Sequence, residues 1–234
     1  VAKKHNCFVI VDAVCTLSTM PFHMDEWGID AVITGGQKGL SCIPGVSLIG
    51  FSSQAWQFIE SRTDQLKHWC LDAKLADQFW YKKSYHYTAP VSGILAIHEA
   101  LRLVCTETLD TRFERHQRSS QALQAGIEGM GLELYVKPES RLNSVVGISV
   151  PKDIEAKRLL STMSKRYKVE ISGSFGANIV RIGQMGEQCR THNLFRTLHA
   201  FGASLSLLGQ KLDLPAGMAA LESTLDQYGY TEEI

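Results

Sequence analysis

The chain has 234 residues, 44% of them hydrophobic, with 24 basic side chains against 24 acidic ones. That length and apolar content allow a full core, in one large unit or two small ones. The even charge excludes the strong field of a nucleic-acid binder or of a protein drawn to an anionic membrane, so a small-molecule substrate fits best.

Residues 7–12 form a short, nearly continuous apolar run that is rich in β-branched side chains and closed by an acid. The pattern predicts a strand buried on both faces with Asp12 at its carboxyl end. Residues 31–34, ended by Gly35-Gly36, predict a second strand, and residues 46–51, preceded by Pro44-Gly45, predict a third. From Pro90 the spacing turns helical, with Ile94, Leu95, Ile97, His98, Leu101 and Val104 recurring on successive turns. A long amphipathic helix follows over about 112–130, ended by Gly129 and Gly131. Next come strand-like runs at 132–136 and 145–150, a helix near 154–167, strand-like runs at 169–171 and 179–182, and a helix over about 191–208. The chain is thus expected to be α/β in two units, 1–112 and 113–234, with the boundary near Thr111 to Arg115. The polar tail 230–234 is expected to fray.

Asp12 and Lys38 each follow a predicted buried strand, at the edge where open α/β sheets place their ligands. Taken singly, Asp12 reads as readily as the cap of a turn and Lys38 as a solvated loop lysine. Gly35-Gly36-Gln37-Lys38-Gly39 carries the lysine of a phosphate-binding loop but neither its glycine spacing nor its following Ser or Thr. Covalent chemistry by the amine is the better reading, since small flanking residues let a flat cofactor approach the backbone.

The stretches Val11-Asp12-Ala13-Val14, Thr34-Gly35-Gly36-Gln37-Lys38-Gly39-Leu40 and Pro44-Gly45 resemble the core of the class V aminotransferases, in the alanine:glyoxylate and serine:glyoxylate branch. Tyr85-His86-Tyr87-Thr88-Ala89-Pro90 and Val180-Arg181-Ile182-Gly183 are similar to two further motifs of that family. The resemblance implies a fold type I transferase dependent on pyridoxal 5'-phosphate, with residues 1–112 the rear part of the cofactor-binding large domain and 113–234 the small domain. It implies that Lys38 holds the cofactor as a Schiff base and moves the substrate proton, that Asp12 pairs with the pyridine nitrogen, and that Val14 packs on the ring. Gln37 would contact the cofactor phosphate, Tyr85 and Thr88 would reach the phosphate of a neighbouring subunit in a homodimer with shared sites, and Arg181 would grip the substrate carboxylate. Met in isolation, Val14 reads as core, Tyr85 as an interface aromatic and Arg181 as an exposed strand charge.

The implied reaction is a ping-pong transfer of an amino group from a small amino acid, of the alanine or serine type, to glyoxylate or pyruvate. Pyridoxamine:pyruvate transamination is the alternative, because Arg181-Ile182-Gly183-Gln184-Met185-Gly186 is similar to that enzyme; a non-catalytic subunit of the same fold is a further one. Gln37 stands where cysteine desulfurases carry His, which argues against that group. No histidine pair has metal-ligand spacing, and no metal is expected.

The six cysteines lie far apart in sequence and match neither a zinc set nor a disulfide framework, so reduced thiols in a cytoplasmic protein are expected. No apolar run approaches the roughly 20 residues needed to span a bilayer, the opening residues lack the zones of a signal peptide, and a soluble chain is expected. The start without Met and the absence of the family's front portion, with its phosphate loop and ring-stacking aromatic, lead to the expectation of a fragment.

Overall fold

A computed structural model describes residues 1–64, 68–174 and 176–228. The tail 230–234 therefore lies outside the described residues.

The first unit is built on three strands, β1 (Ile10–Asp12), β2 (Ala31–Gly35) and β3 (Ser47–Phe51), in spatial order β1-β2-β3. β1 runs parallel to β2, and β3 antiparallel to it. The strand expected over 7–12 is confined to three residues and is not buried on both faces: Ile10 is 68% exposed. The physical reason is its place at the sheet edge, on a part of the face where Ile33 and Ile49 are exposed as well. Helix α1 (Ser53–Ser61) starts where the Ser52 hydroxyl accepts the Ala55 N–H, and α2 (Ala73–Lys82) where the Asp72 carboxylate accepts from Lys74 and Leu75. Helix α3 (Val91–Glu107) lays Ile97, Ala100 and Val104 against Leu40, Val46 and Leu48, forming a small core beneath the turn that follows β2.

Thr108, at φ +72°, breaks the helical path, and α4 (Leu109–Gly129) leaves in a new direction. The second unit pairs β4 (Val145–Ser149), β5 (Ser172–Gly173) and β6 (Ile179–Gly183) in an antiparallel sheet of order β4-β6-β5. Helix α5 (Ala156–Thr162) runs on into a wider π-turn over Met163–Tyr167, so the helix expected near 154–167 is present but changes pitch midway. Helices α6 (Thr191–Leu207) and α7 (Leu214–Asp226) complete the unit. Its core is the larger of the two and includes Leu123, Ile148, Leu159, Leu198 and Phe201, all essentially sealed from solvent.

Two expected strands are not formed. Residues 132–136 make one bridge on the free edge of β4, Leu134 with Ile148, flanked by the Tyr135 N–H on Gly147 O and the Ser149 N–H on Glu133 O, and the segment then leaves β4 toward Pro138. Residues 169–171 precede the pairing, which starts at Ser172; Val169 is held instead by its N–H on Met163 O at the end of the π-turn.

Candidate functional site

β1 and β2 are parallel with Asp12 opposite Ile33, so both strands end on one edge of the sheet. Asp12 is exposed there, and its Oδ1 accepts the Val14 N–H at 2.9 Å. That turn leaves Oδ2 without a hydrogen-bond partner among the described residues. Val14 is half-buried beside it.

At the end of β2 the chain folds back at once. The Lys38 N–H donates to Gly35 O at 3.2 Å, Ser41 N–H to Lys38 O at 2.9 Å, and Cys42 N–H to Gly36 O at 2.9 Å. This turn lies directly on the loop after Asp12: a Cβ on Gly39 would stand 2.2 Å from Leu17 O and 2.8 Å from Ser18 Oγ. Only glycine allows that approach. Lys38 is half-buried, and its amine makes no ion pair or hydrogen bond among the described residues, while Gln37 beside it is exposed. Asp12, Val14, Gln37 and Lys38 are thus gathered on two loops in direct contact.

Arg181 lies on the exposed side of β6, opposite Gly147 and Ser172. Its Nε–H donates to Gly173 O at 3.0 Å, and its two terminal nitrogens have no hydrogen-bond partner among the described residues. The loop that follows β6 runs to the Lys38 turn, where the Glu187 N–H donates to Ser41 Oγ at 3.0 Å. Tyr85 and Thr88 make no hydrogen bond to either loop among the described residues; they lie on an exposed segment where their hydroxyls hydrogen-bond at 3.2 Å. Around them Trp69, Phe79, His86 and Tyr87 form a chain of ring contacts, with His86 buried on Trp69 O.

A buried polar cluster absent from the sequence-based candidates joins these loops. Arg112, Arg115 and His116, on the first turns of α4, are 3%, 6% and 0% exposed. Glu107 accepts from both arginines. Burial pushes its carboxyl up, but the hydrogen bonds and charges of Arg115 and Arg112 outweigh this and hold it below its ordinary value. Burial pushes the His116 imidazole down to about 4, so the ring is neutral, donating from Nδ1 to Arg112 O at 2.7 Å and accepting the Gly186 N–H on Nε2 at 2.9 Å. The available signal was the spacing: two arginines and a histidine at i, i+3 and i+4 share one helix face, and a solvated face would have read the same.

The family model "Aminotransferase class-V" matches residues 1–196. Alanine–glyoxylate aminotransferase of Drosophila melanogaster is 36% identical over 222 residues, which cover 91% of this chain and 56% of that protein. L-aspartate–glyoxylate aminotransferase of Paracoccus denitrificans is 31% identical, over 94% of this chain and 56% of its own. The crystal structure of ureidoglycine-glyoxylate aminotransferase from Bacillus subtilis superposes with a TM-score of 0.91 at 31% identity, covering 95% of this chain and 59% of that one. Pyridoxamine-pyruvate aminotransferase from Mesorhizobium loti does so at 0.92 and 25%, covering 97% and 59%. The chain spans a little over half the length of the relatives it matches. Its architecture is the α/β one of the fold type I transferases, as the motifs implied. The chain belongs to the class-V aminotransferase family.

Proposed function

We propose that this chain is part of a pyridoxal-phosphate-dependent aminotransferase that moves an amino group from a small amino acid of the alanine or serine type to glyoxylate or pyruvate. The observation that carries this reading is the placement, on two touching loops at one sheet edge, of a half-buried Lys38 amine and an Asp12 carboxylate oxygen that have no hydrogen-bond partner among the described residues.

The residues fit the cofactor: a lysine tied up in an ion pair could not condense with an aldehyde, and Lys38 has none among the described residues. When bound, the cofactor would supply the aldehyde and an electron sink that acidifies the proton on the substrate α-carbon. Asp12 offers Oδ2 to the pyridine nitrogen and keeps it protonated. Val14 would pack against the ring, and Gln37 would contact the phosphate. The Lys38 amine takes the α-proton and returns it on the other side of the exchange, acting as base and then acid. Arg181, its Nε committed to Gly173 O, presents the two terminal nitrogens to the substrate carboxylate as a bidentate fork. Tyr85 and Thr88 complete the phosphate site of a second subunit in a homodimer, a role that suits their exposure at the rim of an aromatic surface.

The division into a cofactor-binding part at 1–112 and a small domain at 113–234 is part of the same proposal, supported by the way Arg112 reaches back to Gly39 while Arg115 and His116 reach forward to Gly186. A cytoplasmic setting is proposed from the spacing of the six cysteines.

Borohydride reduction of the native full-length protein with its cofactor, followed by peptide mass mapping, tests the central assignment. A pyridoxyl group on Lys38 is the expected result. An unlabelled Lys38 would leave a non-catalytic member of the fold. The similarity to the pyridoxamine–pyruvate enzyme supports a second reading of the donor. Alanine or serine with glyoxylate, set against pyridoxamine with pyruvate, separates the two.

A further inference from the structure

Gly39 follows Lys38 directly, and Gly186 lies five residues beyond Arg181. Both are gripped from α4. One terminal nitrogen of Arg112 donates to Gly39 O, its Nε–H donates to Ser18 Oγ at 3.4 Å, and its other terminal nitrogen pairs with Glu107. Arg115 donates to Gly186 O at 2.8 Å and to Glu107, while His116 accepts the Gly186 N–H, so both backbone groups of Gly186 are held. The Glu187 N–H on Ser41 Oγ closes the ring between the two turns. Gly186 sits at φ +61°, a left-handed conformation that such anchoring maintains.

An apolar set of equal volume would stabilise a helix joint as well as this one does, because burying two guanidinium groups and a carboxylate is costly. What the polar set adds is direction: fixed donors and acceptors aimed at single backbone atoms of two loops. We infer that Arg112 and Arg115, held together by Glu107, and His116, held on Arg112 O, are positioning residues that set the Lys38 amine and the Arg181 guanidinium at one working separation.

Arg112 acts on the Lys38 side, by holding the carbonyl immediately after the lysine. Arg115 and His116 act on the Arg181 side, by holding the loop into which its strand runs. This inference rests on the roles proposed above for Lys38 and Arg181. Its signature is a division of kinetic effects that general destabilisation does not produce. Displacing a proton-transfer group lowers kcat, whereas displacing a carboxylate clamp raises KM for the amino donor.

The test uses the full-length holoenzyme and three variants. Arg112→Lys keeps the charge and the Glu107 pair but lacks the fork that reaches Gly39; it is expected to lower kcat about tenfold or more with KM little changed. His116→Leu removes the acceptor for Gly186 and is expected to raise the KM of the amino donor about tenfold with kcat largely kept. His116→Gln restores a neutral donor and acceptor and should recover most of that loss. Hydrogen–deuterium exchange on the same proteins without cofactor gives an independent readout, with faster exchange in His116→Leu expected at Ser41 and Cys42 as well as at Gly186. Wild-type kcat and KM per bound cofactor in both Arg112→Lys and His116→Leu, with only the melting temperature lowered, would overturn the inference and leave the proposed function standing. An unlabelled Lys38 in the wild-type borohydride experiment would instead overturn the proposed function, and this inference with it.

Discussion

The Val14 N–H donates to Asp12 Oδ1 at 2.9 Å, so one carboxylate oxygen is engaged by its own turn while the other is left open at the sheet edge. Asparagine at this position keeps an acceptor for the Val14 amide and removes only the charge. Asp12→Asn is therefore expected to change stability by no more than about 0.5 kcal/mol and to lower transamination about a hundredfold or more. Thermal unfolding and steady-state kinetics on one preparation check both statements. Full activity in the variant would remove Asp12 from the site.

Gly39 has no room for a side chain, because the atoms a Cβ would meet include the Leu17 carbonyl oxygen, which is backbone and cannot swing aside. Gly39→Ala is expected to cost about 2 kcal/mol through overpacking and to push the Lys38 turn off the Asp12 loop. Denaturant unfolding reads the first effect, and the yield of pyridoxyl-Lys38 after borohydride reads the second.

His116 makes stability depend on pH. Burial, only partly opposed by its bond to Arg112 O, takes the imidazole from an ordinary 6.5 to about 4. Between those values the unfolded chain binds a proton that the folded one does not. The contribution is complete above pH 6.5 and is lost as the pH falls toward 4, by about 3 kcal/mol in all. Urea unfolding from about pH 7 to about pH 4.5 should show this slope in the wild type and a flatter one in His116→Gln. At lower pH a second loss belongs to Glu107, whose carboxyl the arginines keep below its ordinary value of 4.5, and which therefore must be protonated at a cost.

Cys189 is fully buried beside Arg115, yet burial outweighs the arginine and pushes its thiol up to about 11. The thiol is therefore un-ionised at neutral pH and a poor nucleophile. Iodoacetamide at about pH 8 is expected to leave Cys189 unmodified in the native protein and to alkylate it in denaturant, as read by peptide mass mapping. Rapid native labelling would mean that the loop after β6 opens readily.

Much of the architecture was legible in the chain because it depends on near neighbours. The apolar run before Lys38, closed by two glycines, predicts β2 and its turn, and the periodicity from Pro90 predicts α3, since these patterns state which face must leave water. The motifs around Asp12, Lys38 and Arg181 were recognisable as a family pattern for the same reason: each is a short stretch with its own local geometry.

Residues 132–136 and 169–171 have the composition of strands, yet the first meets the free edge of β4 only at the Leu134–Ile148 bridge and the second ends before the pairing at Ser172 begins, because strand formation depends on where a partner strand runs, which no local pattern encodes. By itself the sequence determined which segments are apolar, which helices and turns they favour, and which residues carry the family motifs. Only the tertiary structure decided that β3 runs antiparallel to β2, that β1 keeps an open face, and that Arg112, Arg115 and His116 turn inward to Gly39 and Gly186. The partners in that last group are some seventy positions apart, and a helix with two arginines and a histidine on one face could equally have turned them to water. Their direction follows from the break at Thr108, which swings α4 across both loops and leaves the two guanidinium groups no solvent to reach.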